Sequence, residues 1–185
     1  MLADRPATAL IQVKTARCVR RSLGATTNQC EETTMWLRSD AFADGEPIPL
    51  RFTCEGADLS PPLDWGDVPA GTESLVLLCE DPDAPAGLWR HWAAYDLAPS
   101  RTWLAEGIGP DDDGLRQAVN DGRIRGYSGP CPPKGHGRHR YRFRLQALSV
   151  PHLALPPRAG CVAVERAARD HLLAEAVLTG TCERR

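Results

Sequence analysis

The segment from Arg140 to Val150 alternates between polar and apolar residues and constrains the fold most strongly. One set of side chains is apolar (Tyr141, Phe143, Leu145 and Ala147), and the other is polar (Arg140, Arg142, Arg144 and Gln146). Because successive side chains in a strand point to opposite faces, this pattern predicts a β-strand with one face on the core and the other in solvent. Without exposed aromatic residues between the arginines, the arginine row is interpreted as a solvated face rather than a nucleic-acid patch.

Other short runs, separated by Gly, Pro and Asp turns, are typical of an antiparallel β-sandwich. Leu75–Cys79 is a continuous apolar run that predicts a central buried strand, and His91–Leu97 predicts a second one. Residues 98–126 are rich in turn formers and are predicted to be a long surface connection. The helical period of Cys161–Ala176 predicts one helix, and residues 177–181 indicate a short final strand.

Residues 1–34 are polar and basic and show no regular apolar period. They are predicted to be a disordered extension or to lie upstream of the true start at Met35, so that the domain covers residues 35–185. The 185-residue chain has a formal net charge of −2, which gives no reason to expect nucleic acid or an anionic membrane as a partner. No apolar run is long enough to span a bilayer.

The chain has seven cysteines, an odd number, and no Cys-x-x-Cys pair. This spacing excludes the usual zinc motifs and argues against a secreted disulfide framework. Free thiols in a reducing cytosol are therefore expected, and the predicted location is cytoplasmic. A meeting of one pair, such as Cys54 with Cys131, stays open.

Two acids and two histidines stand beside stiff loops and could form one polar pocket. Asp81 and Asp83 lie in an Asp-Pro-Asp-Ala-Pro turn directly after the predicted buried strand. The prolines can fix the directions of both carboxylates, although aspartates in turns also serve only to bond turn amides. His91 begins the next predicted strand. His139 precedes the alternating strand, with His136 as a competing functional histidine, and each histidine alone is equally compatible with a structural role.

The loop before His139 contains three prolines and four glycines, which make it stiff and allow a ligand to approach closely. These residues are Pro130, Pro132, Pro133, Gly126, Gly129, Gly135 and Gly137. Acids near histidines favour the protonated imidazole, whose N–H groups can bind phosphate or carboxylate oxygens. Tyr141 could add a hydroxyl donor, although its place in the strand puts its ring at least partly in the core. The residues therefore suit an anion pocket.

These residues belong to a series of motifs that resembles one known family. The motifs are Ser39-Asp-Ala-Phe-Ala-Asp-Gly, Phe52-Thr-Cys-Glu-Gly, Leu59-Ser-Pro-Pro-Leu, Val68-Pro-Ala-Gly-Thr, Asp81-Pro-Asp-Ala-Pro, His91-Trp, Asn120-Asp-Gly, Gly126-Tyr-Ser-Gly-Pro-Cys-Pro-Pro-Lys-Gly, His139-Arg-Tyr, His171-Leu-Leu-Ala-Glu-Ala and Gly180-Thr. From about Met35 to Thr181 the chain resembles the phosphatidylethanolamine-binding proteins, also called Raf kinase inhibitor proteins, and most closely their bacterial branch. The order of the two central motifs makes the resemblance specific.

The resemblance implies a mainly β fold, an antiparallel β-sandwich with a short C-terminal helix beside a surface anion pocket. By motif position, the pocket would be lined by Asp81, Asp83, Ala84, Pro85, Trp89, His91, Pro132, Pro133, His139 and Tyr141. Members bind phosphate-like anions or phospholipid headgroups, some eukaryotic members inhibit kinases, and bacterial members are often homodimers. The resemblance also implies a cis Ala84–Pro85 bond. One departure is Cys182, which stands where bacterial relatives usually have tyrosine.

The expected function is therefore non-enzymatic binding of a small anion or phospholipid headgroup, with regulation of a partner protein such as a kinase or protease. No cofactor, metal or catalytic residue is expected. The alternative is a hydrolase or metal-dependent enzyme that uses the cluster of Asp81, His91 and His139. Cys131 is the candidate nucleophile nearest the pocket, but it stands between two prolines, without a helix N-terminus to lower its pKa.

Overall fold

The computed structural model describes residues 15–17, 31–112 and 114–185. Its strands are β1 (Thr15–Arg17), β2 (Glu31–Thr33), β3 (Trp36–Arg38), β4 (Leu63–Gly66), β5 (Ser74–Asp81), β6 (Trp89–Leu97), β7 (Trp103–Leu104), β8 (Arg116–Gln117), β9 (Arg138–Leu148) and β10 (Leu172–Glu183). The helix α1 spans Cys161–Arg169, and a short 3-10 helix spans Leu50–Phe52.

The strands form two main antiparallel sheets and one small ribbon. The larger sheet has the order β10-β9-β5-β6-β8, the smaller has the order β3-β4-β7, and β1 pairs only with β2. The remainder of residues 1–30 lies outside the described residues, so the predicted extension and the domain start at Met35 stay predictions. No helix among the described residues is long and apolar enough to cross a membrane.

A core of large side chains fills the space between the two main sheets. Trp65 comes from β4, Trp92 from β6, and Tyr141 and Phe143 from β9, and each is at most 1% exposed. The apolar face of β9 is therefore buried as its alternation predicts. This arrangement confirms the mainly β sandwich.

A second apolar cluster covers the opposite face of the larger sheet, because α1 packs there. Val164 and Ala168 of the helix pack with Val76 and Leu78 of β5. As a result, every residue of β5 is buried, which is why the run Leu75–Cys79 within it is apolar without alternation.

The polar face of β9 is only partly the solvated surface that the sequence predicts, because Arg140 is exposed whereas Gln146 is buried. Arg142 and Arg144 form ion pairs with Glu80, which is only 1% exposed, and Arg144 also bonds Glu175 of β10 at 2.7 Å. The arginines therefore serve as partners for carboxylates of the neighbouring strands β5 and β10 that are partly or fully buried. Glu165 of α1 approaches Arg144 to 3.9 Å.

The predicted helix is too long, because α1 ends at Arg169. Residues 172–176 belong instead to β10, which pairs antiparallel with nearly the whole length of β9. The burial of residues 174, 176 and 178 follows a period of two, so pairing with β9 overrides the helical pattern. Residues 98–126 are likewise more than a surface connection: they contain β7 and β8, and Leu104 and Leu115 are buried.

Candidate functional site

Asp81 and His139 form the centre of the candidate site. Asp81 ends β5 and His139 lies near the start of β9, and their side chains are 5% and 2% exposed. His139 Nδ1 lies 2.8 Å from Asp81 Oδ2, so Nδ1–H donates to the carboxylate. The other oxygen, Asp81 Oδ1, accepts from the backbone N–H of Asp83 at 2.8 Å. This pairing fixes the ring orientation of His139 and leaves only its Nε2 for other contacts.

A second histidine reaches that remaining nitrogen. His136 Nδ1 lies 2.8 Å from His139 Nε2, and the two ring centroids are 5.1 Å apart. His136 is exposed, whereas His139 is buried. The structure therefore gives both histidines a place in one chain of hydrogen bonds that starts at Asp81.

His91 is held from a different direction. Its Nδ1 lies 2.7 Å from the carbonyl oxygen of Ser128, which can only accept, so Nδ1 carries hydrogen and Nε2 is the free ring nitrogen. Burial lowers the pKa of His91, and the hydrogen bond to Ser128 and the charge of Asp81 oppose this shift only in part. His91 packs edge-on against Tyr141 with ring centroids 5.2 Å apart.

Tyr141 lies within the core, as its strand position predicts. Its hydroxyl is buried and has no hydrogen-bond partner among the described residues. Burial raises the pKa of Tyr141, and the nearby Asp81 charge raises it further. The hydroxyl therefore remains protonated and is a donor beside the histidines.

Asp83 differs from Asp81, because both of its oxygens are occupied by Arg140. The Arg140 guanidinium donates from Nη2 to Oδ1 at 2.7 Å and from Nε to Oδ2 at 2.9 Å, and the Arg140 backbone N–H donates to Oδ2 at 2.9 Å. These bonds to Arg140 lower the pKa of Asp83 to about 2. Asp83 therefore ties the loop after β5 to the start of β9.

The rest of this loop is a tight turn. The Gly87 N–H donates to the Ala84 carbonyl at 2.9 Å, which places Pro85 at the second position of a β-turn. The implied cis bond is wrong: the described residues contain no cis peptide bond, and Ala84–Pro85 is trans, as this kind of turn requires. Ala84 is half-buried, Pro85 is exposed, and Trp89 pairs with Asp81 across β5 and β6 with 37% of its surface exposed.

The proline loop is joined covalently to the segment after the 3-10 helix. Cys54 and Cys131 form a disulfide with Cα atoms 5.4 Å apart, and the Cys54 N–H also donates to the Pro130 carbonyl. The pairing of Cys54 with Cys131, which the sequence leaves open, is therefore present, and the general expectation of free thiols does not hold for these two residues, because the fold brings two distant loops together. Pro132 is buried and Pro133 is exposed, so they present different surfaces.

The other cysteines that the structure describes are free. They are Cys79, Cys161 and Cys182. Cys18 and Cys30 lie outside the described residues.

Three supporting residues were not predicted from the sequence. Asn120 donates from Nδ2 to the carbonyls of His91 and Gly126, each at 3.2 Å. Asp58 accepts from the Gly129 N–H at 2.6 Å, and Arg184 donates to the Pro132 carbonyl at 3.3 Å. The Asn120-Asp-Gly turn is a signal that could have identified Asn120, whereas neither Asp58 nor Arg184 lies in a pattern that indicates such a contact.

The arrangement suits hydrogen-bond donation to an anion when the imidazoles are protonated. Protonation would put N–H groups at the Nε2 atoms of His91 and His139, beside the buried Tyr141 hydroxyl. Cys131 is not a thiolate nucleophile, because its sulfur is bonded to Cys54. Among the described residues, no group of three or more His, Cys, Asp or Glu is arranged to hold a metal ion.

Comparisons with known proteins agree with the fold. The family model described as phosphatidylethanolamine-binding protein matches residues 38–183. A relative from Aquifex aeolicus, named only "UPF0098 protein", is 47% identical over 149 residues, which cover 79% of this chain and 86% of the relative. LppC from Mycobacterium tuberculosis, whose name describes it as a candidate lipoprotein, is 42% identical over 88% of this chain and 79% of its own length.

Solved structures give the same result. Escherichia coli YbcL, described as a member of the mammalian PEBP family, has a TM-score of 0.77 and 30% identity, with 82% of this chain and 99% of that chain covered. CT736 from Chlamydia trachomatis, described as a PEBP homologue, has a TM-score of 0.74 and 40% identity over 82% of this chain and 98% of that chain. With the family model and these bacterial neighbours in agreement, the chain belongs to the phosphatidylethanolamine-binding protein family.

Proposed function

We propose that the protein binds a small phosphate-like anion, free or as the headgroup of a phospholipid, without chemical turnover. The observation that carries the proposal is that His91 and His139 are buried and each is oriented through Nδ1, so that Nε2 is the atom each ring can offer to a ligand. Charge-assisted hydrogen bonds from imidazolium to phosphate oxygens are the strong contacts that such a site can form.

The surrounding residues have distinct roles in this proposal. Asp81 accepts a hydrogen bond from His139 Nδ1–H and so fixes the direction in which Nε2 of that ring points. Tyr141 supplies an uncommitted hydroxyl, and Trp89 supplies an exposed aromatic wall. The remaining proposed lining residues are Asp83, Ala84, Pro85, Pro132 and Pro133.

The enzyme alternative has no specific observation in its favour. The nearest candidate nucleophile, Cys131, is engaged in a disulfide. We also propose that the protein regulates a partner protein, such as a kinase or protease, by binding to it. Rigid loops beside the pocket would present a fixed surface to that partner.

We also propose a cellular location and an oligomeric state. The cytoplasm is the location predicted from the sequence, but disulfides persist mainly in oxidising compartments, so the Cys54–Cys131 bond weighs against it. The lipoprotein name of the mycobacterial relative weighs in the same direction. A homodimer is predicted, and sedimentation velocity measures it directly.

Isothermal titration with inorganic phosphate tests the proposal. We expect saturable binding by the native protein, and a loss of at least about tenfold in affinity for His139→Gln, which cannot become a cationic donor. His152→Ala is the matched control, because His152 is 76% exposed and bonded to no pocket residue. A parallel titration with glycerophosphoethanolamine separates the sources: tighter binding than phosphate indicates a lipid headgroup. Absence of saturable binding to either ligand would refute the proposal.

A further inference from the structure

The imidazole of His136 contacts the ring nitrogen of His139 that a ligand would use. His136 is the exposed end of the hydrogen-bond chain that starts at Asp81, and its Nδ1 lies 2.8 Å from His139 Nε2. Since His139 Nδ1 is bonded to Asp81, Nε2 is the only nitrogen with which His139 could contact an anion.

Counting the protons shows that the bond to His136 occupies Nε2 of His139. An N···N hydrogen bond holds one hydrogen, so either His136 donates and His139 accepts, or His139 donates and His136 accepts. In both cases the Nε2 of His139 is occupied and has no N–H free for an anion oxygen. An anion that uses this nitrogen must first break the bond between the two histidines, and where His139 is the acceptor, Nε2 must also take up a proton from solvent before it can donate to the anion.

The backbone around His136 lets the side chain move. Gly135 and Gly137 flank it with φ values of +72° and +86°, and a Cβ added at either glycine would have no atom within 4 Å. The loop itself is anchored, since the Gly135 N–H donates to the Arg184 carbonyl at 3.0 Å. The imidazole can therefore turn outward while the loop stays attached to the end of β10.

We propose that His136 is an intramolecular gate of the anion site, bonded to His139 when the site is empty and displaced when an anion binds. This inference rests on the proposed function, because a gate needs a ligand. The gate opens in acid, since protonation of both rings puts N–H groups on both facing nitrogens, and the bond between them is lost.

Other charged groups around the histidine pair must be considered in any pH dependence. They are Asp81 at the end of β5, Asp83 with its partner Arg140, His91 on β6, Cys182 opposite His139 on β10, Lys134 and Arg138 beside the gate, and the pair Glu55–Arg184 next to the disulfide. Of these groups only His91 is of a type that ordinarily titrates near neutrality. Comparison of the native protein with a His136 variant removes the His91 contribution, because it is common to both.

The test is phosphate affinity in the native protein, His136→Ala and the control His152→Ala. At about pH 8, where unperturbed imidazoles are neutral, His136→Ala should bind phosphate on the order of fivefold more tightly, the factor that corresponds to one net hydrogen bond. With sulfate, whose charge is constant, this advantage should shrink toward about pH 5.5. The phosphate and sulfate measurements both test the bond between His136 and His139, and His152→Ala should match the native protein in both.

Each of the other outcomes contradicts either the gate or the proposed function. Equal affinities of the native protein and His136→Ala overturn the gate alone, and weaker binding by His136→Ala shows that His136 is a ligand instead. No binding by any variant overturns the proposed function together with the gate. A structural readout is the scalar coupling across the N–H···N bond in 15N-histidine-labelled protein: it should be present without ligand and vanish at phosphate saturation, and its persistence in the bound state contradicts the gate.

Discussion

Replacement of both Cys54 and Cys131 by serine should lower the free energy of unfolding by about 2–4 kcal/mol. The disulfide joins positions that are 77 residues apart in the sequence, so it closes a long loop in the unfolded chain. In the chain-entropy model a loop of this length corresponds to about 4.5 kcal/mol at 25 °C, which is an upper value because measured effects are usually smaller. Serine is close in size to cysteine, so the folded state should change little.

Guanidinium unfolding followed by tryptophan fluorescence measures this effect, and Cys182→Ser is the matched control for removal of a thiol that is free in the structure. The double variant should unfold at lower denaturant concentration than the native protein, and the control should not. Reduction of the native protein with dithiothreitol should reproduce the shift, and the double variant should not respond. An unchanged midpoint in the double variant would show that the bond contributes nothing to stability, and the reasoning from loop closure would be refuted.

Three further predictions concern single residues. The pKa of Asp83 in the folded state, about 2, lies below the ordinary 3.8, so its bond to Arg140 stabilises the fold above about pH 4 and this contribution is lost as the pH falls toward 2. Because the Arg140 side chain is 60% exposed and water screens the pair, urea unfolding of the native protein and Asp83→Asn should differ by less than about 1 kcal/mol at neutral pH and converge in acid. Gly129→Ala should destabilise the protein by about 1–3 kcal/mol in thermal unfolding, because a Cβ there would clash with the backbone carbonyl oxygen of Phe52; unchanged stability would contradict the packing. Burial raises the pKa of Cys161 to about 12 and that of Cys79 well above its usual value, so neither should react with iodoacetamide until the protein unfolds, as peptide mass spectrometry can check.

The strands could be predicted because local patterns determine them. The alternation of Arg140–Val150 and the apolar run of Leu75–Cys79 place β9 and β5 within about three residues of their observed ends. The environment of the polar face of β9 could not be predicted, because it depends on which carboxylates of β5 and β10 lie beside its arginines. The same holds for residues 172–176, whose helical period is overridden by pairing with β9.

The candidate site was predicted as a set of residues but not as a set of contacts. Asp81, His91 and His139 could be named from their positions beside stiff loops. The sequence could not show that Arg140 occupies Asp83 or that Cys54 meets Cys131, since both contacts join segments more than 50 residues apart.

The central claim is that His91 and His139 together bind an anion, and NMR titration of their imidazole signals with inorganic phosphate tests it most directly. Burial lowers the pKa of His91 in the free protein, and an anion that accepts a hydrogen bond from its Nε2–H favours the protonated form. The account predicts that phosphate shifts the signals of both histidines with one common dissociation constant and raises the pKa of His91. Signals of both histidines that stay unchanged at millimolar phosphate would contradict it.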